Sequence, residues 1–156
     1  MPHKSPAGFQ HGLTLAAART IADTTLAKGR ELGLAPLTVV VLDGAGQLKA
    51  VLREDGSSLA RTDIAWGKAN GCMAMGLGGR ELAKRFQAAP GFMNALSDLS
   101  GGRAVPVPGG VLVKDAEGAV LGAVGVSGDV SDKDEICAVA GIQAAGLVAD
   151  TGEAKG

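Results

Sequence analysis

At 156 residues the chain suits one domain with a sizeable core, and its 46% hydrophobic content is enough to build one. Charge is balanced, with 20% charged residues and a net charge of -1, which excludes the basic stripe of a nucleic-acid binder and the acidic block of a solvating tail. With no Tyr, three Phe and one Trp, the chain also lacks the aromatic platform on which single-stranded nucleic acid stacks.

Residues 1–12 read as a flexible N-terminal arm holding Pro2 and Pro6, without the apolar stretch of a signal peptide. A single domain is expected over 13–150. Its first element is an amphipathic helix from Leu13 to Leu32, with Leu15, Ala18, Ala22, Thr25, Gly29 and Leu32 on one face and Gly33 closing it. Leu37 to Leu42 is β-branched and almost wholly apolar, the pattern of a buried central strand. The turn Asp43-Gly44-Ala45-Gly46 then returns the chain as a hairpin strand over Gln47 to Arg53.

A helix follows from Ser57-Ser58 to about Met75, then a short helix over Glu81 to Gln87 that ends at Ala89-Pro90-Gly91, and a turn or two over Phe92 to Leu99. Strands are expected at Val111 to Asp115 and Val120 to Val126, joined at Ala116-Glu117-Gly118. The last helix is read from Ser131 to Asp150, burying Ile136, Val139, Ala140, Gln143, Leu147 and Val148, with 151–156 as a frayed tail. Hairpin-sized links imply an antiparallel sheet, and segregated helices make the class α+β.

Pro108-Gly109-Gly110-Val111 and Gly122 to Gly128 are two apolar strands edged by glycine, ahead of the acid-rich helix start Asp132-Lys133-Asp134-Glu135. Glycine lets another group approach the backbone closely, and a helix start offers free N–H groups to an anion. A ligand pocket is therefore expected between these strands, near a subunit interface. Arg53 as a carboxylate fork and Lys68 as a point charge are the candidate cations. Asp55, Asp63 and Glu135 are candidate proton carriers, with Lys68 and Glu135 as the catalytic pair. Pro108, Gly109, Gly110, Ser127 and Gly128 complete the candidate ligand-binding set.

Bland alternatives stand beside each. Asp132 with Glu135, or Ser131 with Asp134, matches a capping box. Arg53 with Asp55 matches a surface pair, and Lys68 a solvated helix residue. Phe92 and Met93 read as core, with a lid over a pocket as the alternative. Neither a P-loop nor a Rossmann glycine pattern is present. Cys72 and Cys137 fall outside any CxxC spacing, which argues against a metal site and for buried thiols in a reducing cytoplasm. No apolar run approaches the ~20 residues of a membrane span.

Taken together, Val41 to Gly46, Arg53-Glu54-Asp55-Gly56, Asp63-Ile64-Ala65, Lys68-Ala69, Pro108 to Val111, Gly122 to Gly128 and Asp134-Glu135 resemble the GlcG/HbpS-like family, over about Leu13 to Ala149. That family includes the C-terminal domain of PduO-type proteins. The resemblance implies a profilin-like α+β fold, a central antiparallel sheet with helices around it. It further implies a small-ligand binder forming a homo-oligomer, a dimer or larger ring, with haem or another tetrapyrrole as the candidate ligand.

Haem iron takes His, Cys, Met or Tyr. His3 lies in the arm, and Cys72 with Met73 and Met75 reads as core filler; His11, just before the first helix, is the haem ligand candidate, with an exposed histidine in a mobile segment as its bland alternative. An enzyme acting on a small carboxylate or carbonyl compound, and a non-catalytic accessory oligomer, are the alternative functions.

Overall fold

Strand β1 (Thr38–Asp43) is buried at every position, as its run of β-branched residues requires of a strand covered on both faces. In the computed structural model, which describes residues 7–153, it pairs with β2 (Leu48–Arg53) on one side and β4 (Val120–Ser127) on the other. β3 (Gly110–Lys114) lies beyond β4, and a short β5 (Val148–Asp150) closes the far edge. The sheet order is β2-β1-β4-β3-β5, with every pair antiparallel. His3, the first half of the expected arm and the last three residues of the expected tail lie outside the described residues.

Helices cover both faces. α1 (Leu15–Glu31) and α5 (Ser131–Ala144) lie over Val39, Val41, Val111, Val113, Val124 and Val126. α2 (Ala60–Met75), α3 (Gly79–Ala88) and α4 (Pro90–Leu99) lie over Val40, Leu42, Leu112 and Ala123. The α+β reading holds, with both hairpins where the turn residues put them.

Several details differ from expectation. Thr14, whose hydroxyl accepts from Ala17 N at 3.1 Å, caps α1, so Leu13 precedes the helix. Pro90 opens α4, which runs ten residues; Met93 is core and Phe92 is exposed. α5 stops at Ala144, Gly146 takes a positive φ of 75°, and the chain returns as β5 on the open edge of β3. The buried face of α5 is also rotated. Cys137, Ala138, Gly141 and Ile142 face inward, while Ile136 and Gln143 are exposed. A Cβ at Gly141 would strike the Ile21 carbonyl and the Thr25 hydroxyl, so α1 and α5 meet through their smallest residues.

The chain on either side of the domain is tied to it. His11 O accepts from Gly44 N at 2.7 Å, and Thr151 O from Arg80 N at 3.0 Å.

Candidate functional site

Between Gly110 and Gly125 the two glycine-edged strands are closed over by α2. Gly110 and Gly125 are cross-strand partners beneath α2. A Cβ on Gly125 would overlap the Ala65 carbonyl, and one on Gly110 would meet Lys68 O and Cys72 Sγ. The space expected for a ligand is filled by the helix. The glycines serve close approach of helix to sheet, and this contact fixes α2 and its side chains against β3 and β4.

Lys68 points from α2 to the end of β4. Its Nζ donates to Val126 O at 2.8 Å and to Asp134 Oδ2 at 3.1 Å. The two side chains are 3% and 0% exposed, so Lys68 is not a solvated residue. Gly109, at φ 105°, lies over the amine; a Cβ there would stand 2.8 Å from Nζ and 3.0 Å from Val126 O. Burial pulls the Lys68 pKa down and pushes that of Asp134 up, while their mutual attraction opposes both shifts.

The start of α5 holds no capping box. Val130 is the N-cap and no side chain caps the helix. Asp134 Oδ1 instead accepts from Asp129 N at 3.0 Å, and Asp129 itself accepts from Val130 N at 2.8 Å and Ala35 N at 2.9 Å. These backbone donors hold Asp129 below the usual carboxylate range. The N–H groups of Asp129 and Val130, just ahead of the helix, are thus bonded to the chain's own carboxylates.

Glu135 lies beside this pair but serves Arg80, whose Nε is 3.0 Å from Oε1 and 2.9 Å from Oε2. Arg80 also reaches Asp132 Oδ1 at 2.9 Å. Burial raises the Glu135 pKa and the Arg80 guanidinium opposes the rise. Arg80, Ala83, Lys84, Pro108 and Glu153 line a cavity of about 460 Å³ next to it.

The remaining candidates are dispersed. Arg53 is exposed, donates to Ser57 O at 3.0 Å, and opens with Asp55 on a separate depression lined also by Arg30, Pro36 and Glu54. It does not share a site with Lys68 or Glu135. Asp63 is exposed in the first turn of α2, where negative charge suits the helix dipole. Ser127 is buried, its Oγ accepting from Arg61 at 3.1 Å, and Gly128 abuts the Pro36 carbonyl.

His11 is exposed on a backbone held by the bond from Gly44 N and, two residues on, by Leu13 N to Leu121 O at 3.1 Å. Its ring stacks on that of Phe9, which is 83% exposed, with centroids 6.0 Å apart. The imidazole makes no hydrogen bond among the described residues.

Sequence reasoning passed over Asp134 as a core residue, Arg80, and the pairing of Trp66 with Arg103. Asp134 carried a signal: with Cys137, Ala138, Gly141 and Ile142 it occupies the i, i+3, i+4, i+7, i+8 positions of the inward face. An acid in such a row calls for a buried cation.

As an iron site, the donor set narrows to few groups. Burial pushes the Cys72 thiol up to about 12 and Cys137 up to about 11, so neither offers a thiolate near neutral pH. His11 fits the chemistry of an axial ligand, and Met73 is a half-buried thioether beside the Gly44–Gln47 turn. Among the described residues no group of three or more His, Cys, Asp or Glu is placed to hold a bare metal ion. No helix among them is long and apolar enough to cross a membrane.

The family model described as haem degrading protein HbpS-like matches residues 13–143. An uncharacterized 15.0 kDa protein of Citrobacter freundii, from the dhaT-dhaS intergenic region, is 31% identical over 126 residues, which is 81% of this chain and 87% of that one. The crystal structure of HbpS matches with a TM-score of 0.74 at 30% identity, over 92% of this chain and 96% of that one. That of the Klebsiella pneumoniae protein ORFY gives 0.78 at 26% identity, over 94% and 98%. A PduOC:heme complex gives 0.78 at 22% identity, over 88% and 97%, a likeness of fold.

Proposed function

The chain belongs to the HbpS-like family, and on that premise we propose that it binds haem or a related tetrapyrrole, with His11 as the axial ligand. The observation that carries the ligand assignment is the His11 imidazole, exposed and free of hydrogen bonds among the described residues, on a backbone fixed by the Asp43–Gly46 turn. A ligand held on a fixed backbone loses little freedom on binding, which favours affinity. Phe9, stacked at the same place, offers apolar surface beside the imidazole. When bound, haem supplies a redox-active iron; the chain supplies the ligand and the surface.

The same reading takes the protein as a homo-oligomer. The edge strand β2 exposes Leu48, Val51 and Leu52, apolar surface that a second copy would cover. Buried free thiols at Cys72 and Cys137 suit a reducing cytoplasm.

A titration with haem, followed by visible spectroscopy, tests the reading. The wild type is expected to shift the Soret band at micromolar haem, and His11→Ala to abolish the shift. No shift in the wild type overturns haem binding; an unchanged shift in His11→Ala overturns the ligand assignment. A mass measurement in solution checks the oligomer.

A further inference from the structure

Most buried or clustered charge in this molecule is engaged internally, and Arg103 is an exception. Trp66 and Asn70 stand one turn apart on the same face of α2. The segment leading from α4 to β3 lies along that face. Val105 N donates to Gly67 O at 3.1 Å, and Asn70 Nδ2 to Arg103 O at 2.8 Å. A Cβ at Gly67 would press on Val105 Cγ2 at 2.6 Å, so this seating depends on glycine. It leaves the Arg103 guanidinium 3.9 Å from the centroid of the Trp66 ring. No carboxylate among the described residues lies within ion-pair distance of it.

Across from this pair stands the β1–β2 turn. Gly46, Gln47 and Leu48, with Trp66, Asn70, Ser100 and Arg103, line a hollow of about 380 Å³, within the usual size range of small-molecule sites. The only formal charge in its lining is that of Arg103. The contact with the ring holds the guanidinium in place, and no group among the described residues occupies its N–H fork, which can match a carboxylate bidentately.

We propose that this hollow binds the carboxylate of a small planar organic acid. Arg103 provides the fork, with the Trp66 ring beneath it as its support, and Gln47 and Ser100 offer further hydrogen bonds. A depression of about 320 Å³ adjoins it, sharing Gly46, Gln47 and Asn70 and continuing to Met73. The seven helical steps from Trp66 to Met73 span about 10 Å. The carboxylate therefore has two possible sources: a free acid confined to the hollow, or the acidic arm of a larger flat molecule lying along α2.

The test uses metal-free probes, so its failure is distinct from failure of the His11 assignment. Benzoate, protoporphyrin IX and protoporphyrin IX dimethyl ester are titrated against the protein. Binding is followed by calorimetry and by emission of Trp66, the chain's single tryptophan. Saturable binding of benzoate assigns the free acid. Binding of protoporphyrin IX alone, lost in the ester, assigns the acidic arm. In either case Arg103→Gln is expected to weaken binding roughly tenfold or more, from loss of charge-assisted hydrogen bonds, and Arg85→Gln to leave it unchanged. Binding of neither acid, equal binding of acid and ester, or unchanged affinity in Arg103→Gln overturns the proposal.

Discussion

Trp66 and Lys68 are two residues apart on α2 and therefore face different surroundings. At Lys68 the cation is sealed under Gly109 and β4 and paired with Asp134. At Trp66 the cation comes from Arg103, lies open, and has no carboxylate partner among the described residues. The first arrangement ties three elements together: α2, β4 and the start of α5. The second joins a loop to a helix and leaves hydrogen-bonding capacity over. A charge near glycine loops thus says little about function until its partners are known. What separates a structural cation from a recognition cation here is whether the chain supplies the counter-charge.

The sharpest way to break this comparison is to remove one half of the buried pair. Lys68→Met leaves Asp134 uncompensated in the interior and is expected to cost about 3–5 kcal/mol. The double variant Lys68→Met, Asp134→Leu removes both charges. Its cost is expected to fall well short of the sum of the two single losses, read as a coupling energy from urea denaturation. Additive losses would mean that the two groups do not act as a pair.

Much of the fold was legible in the sequence. The apolar run Leu37 to Leu42 announced a strand covered on both sides, observed as Thr38–Asp43, and the turn residues at Asp43–Gly46 and Ala116–Gly118 placed both hairpins. The site was far less legible, for a physical reason. Gly110 and Gly125 mark close approach, but glycine does not record what approaches, and here it is the backbone of α2. Lys68, Asp134 and Glu135 were visible as charges, yet their partners come from 66 and 55 residues away, and a local reading supplies only capping and solvation. The rotation of α5 hid Asp134 further. Its inward face is built from Cys137, Ala138 and Gly141, so large apolar residues such as Ile136 pointed to the wrong side.

An intermediate case sharpens the contrast. Arg80 is partly open, yet it carries Glu135, whose side chain is 10% exposed. Arg80→Gln is expected to cost about 1–3 kcal/mol near neutral pH by leaving that carboxylate buried without a cation. The pH dependence has a definite sign. Burial already raises Glu135 above its ordinary 4.5, so the folded state holds the proton more tightly than the unfolded chain. This group's contribution to stability is greatest at low pH and declines as pH rises through the folded value. Losing Arg80 lifts that value further. The gap between wild type and Arg80→Gln should therefore narrow as pH falls toward 4.5, in thermal melts across acid buffers. A gap that widens on acidification would mean that Arg80 does not stabilise the Glu135 carboxylate.

The smallest expected loss of stability is at Arg103. Its guanidinium touches the Trp66 ring at an exposed site, and such a contact contributes about 0.5–1 kcal/mol. Arg103→Gln should melt within a few degrees of the wild type while losing its carboxylate affinity. That is the reverse of Lys68→Met, which should unfold the chain more easily for reasons unconnected with ligand. If Arg103→Gln instead destabilised the fold as strongly as Lys68→Met, the guanidinium would be holding the α4–β3 segment in place. The hollow beside Trp66 would then be a by-product of packing, and the distinction between the two ends of α2 would fail.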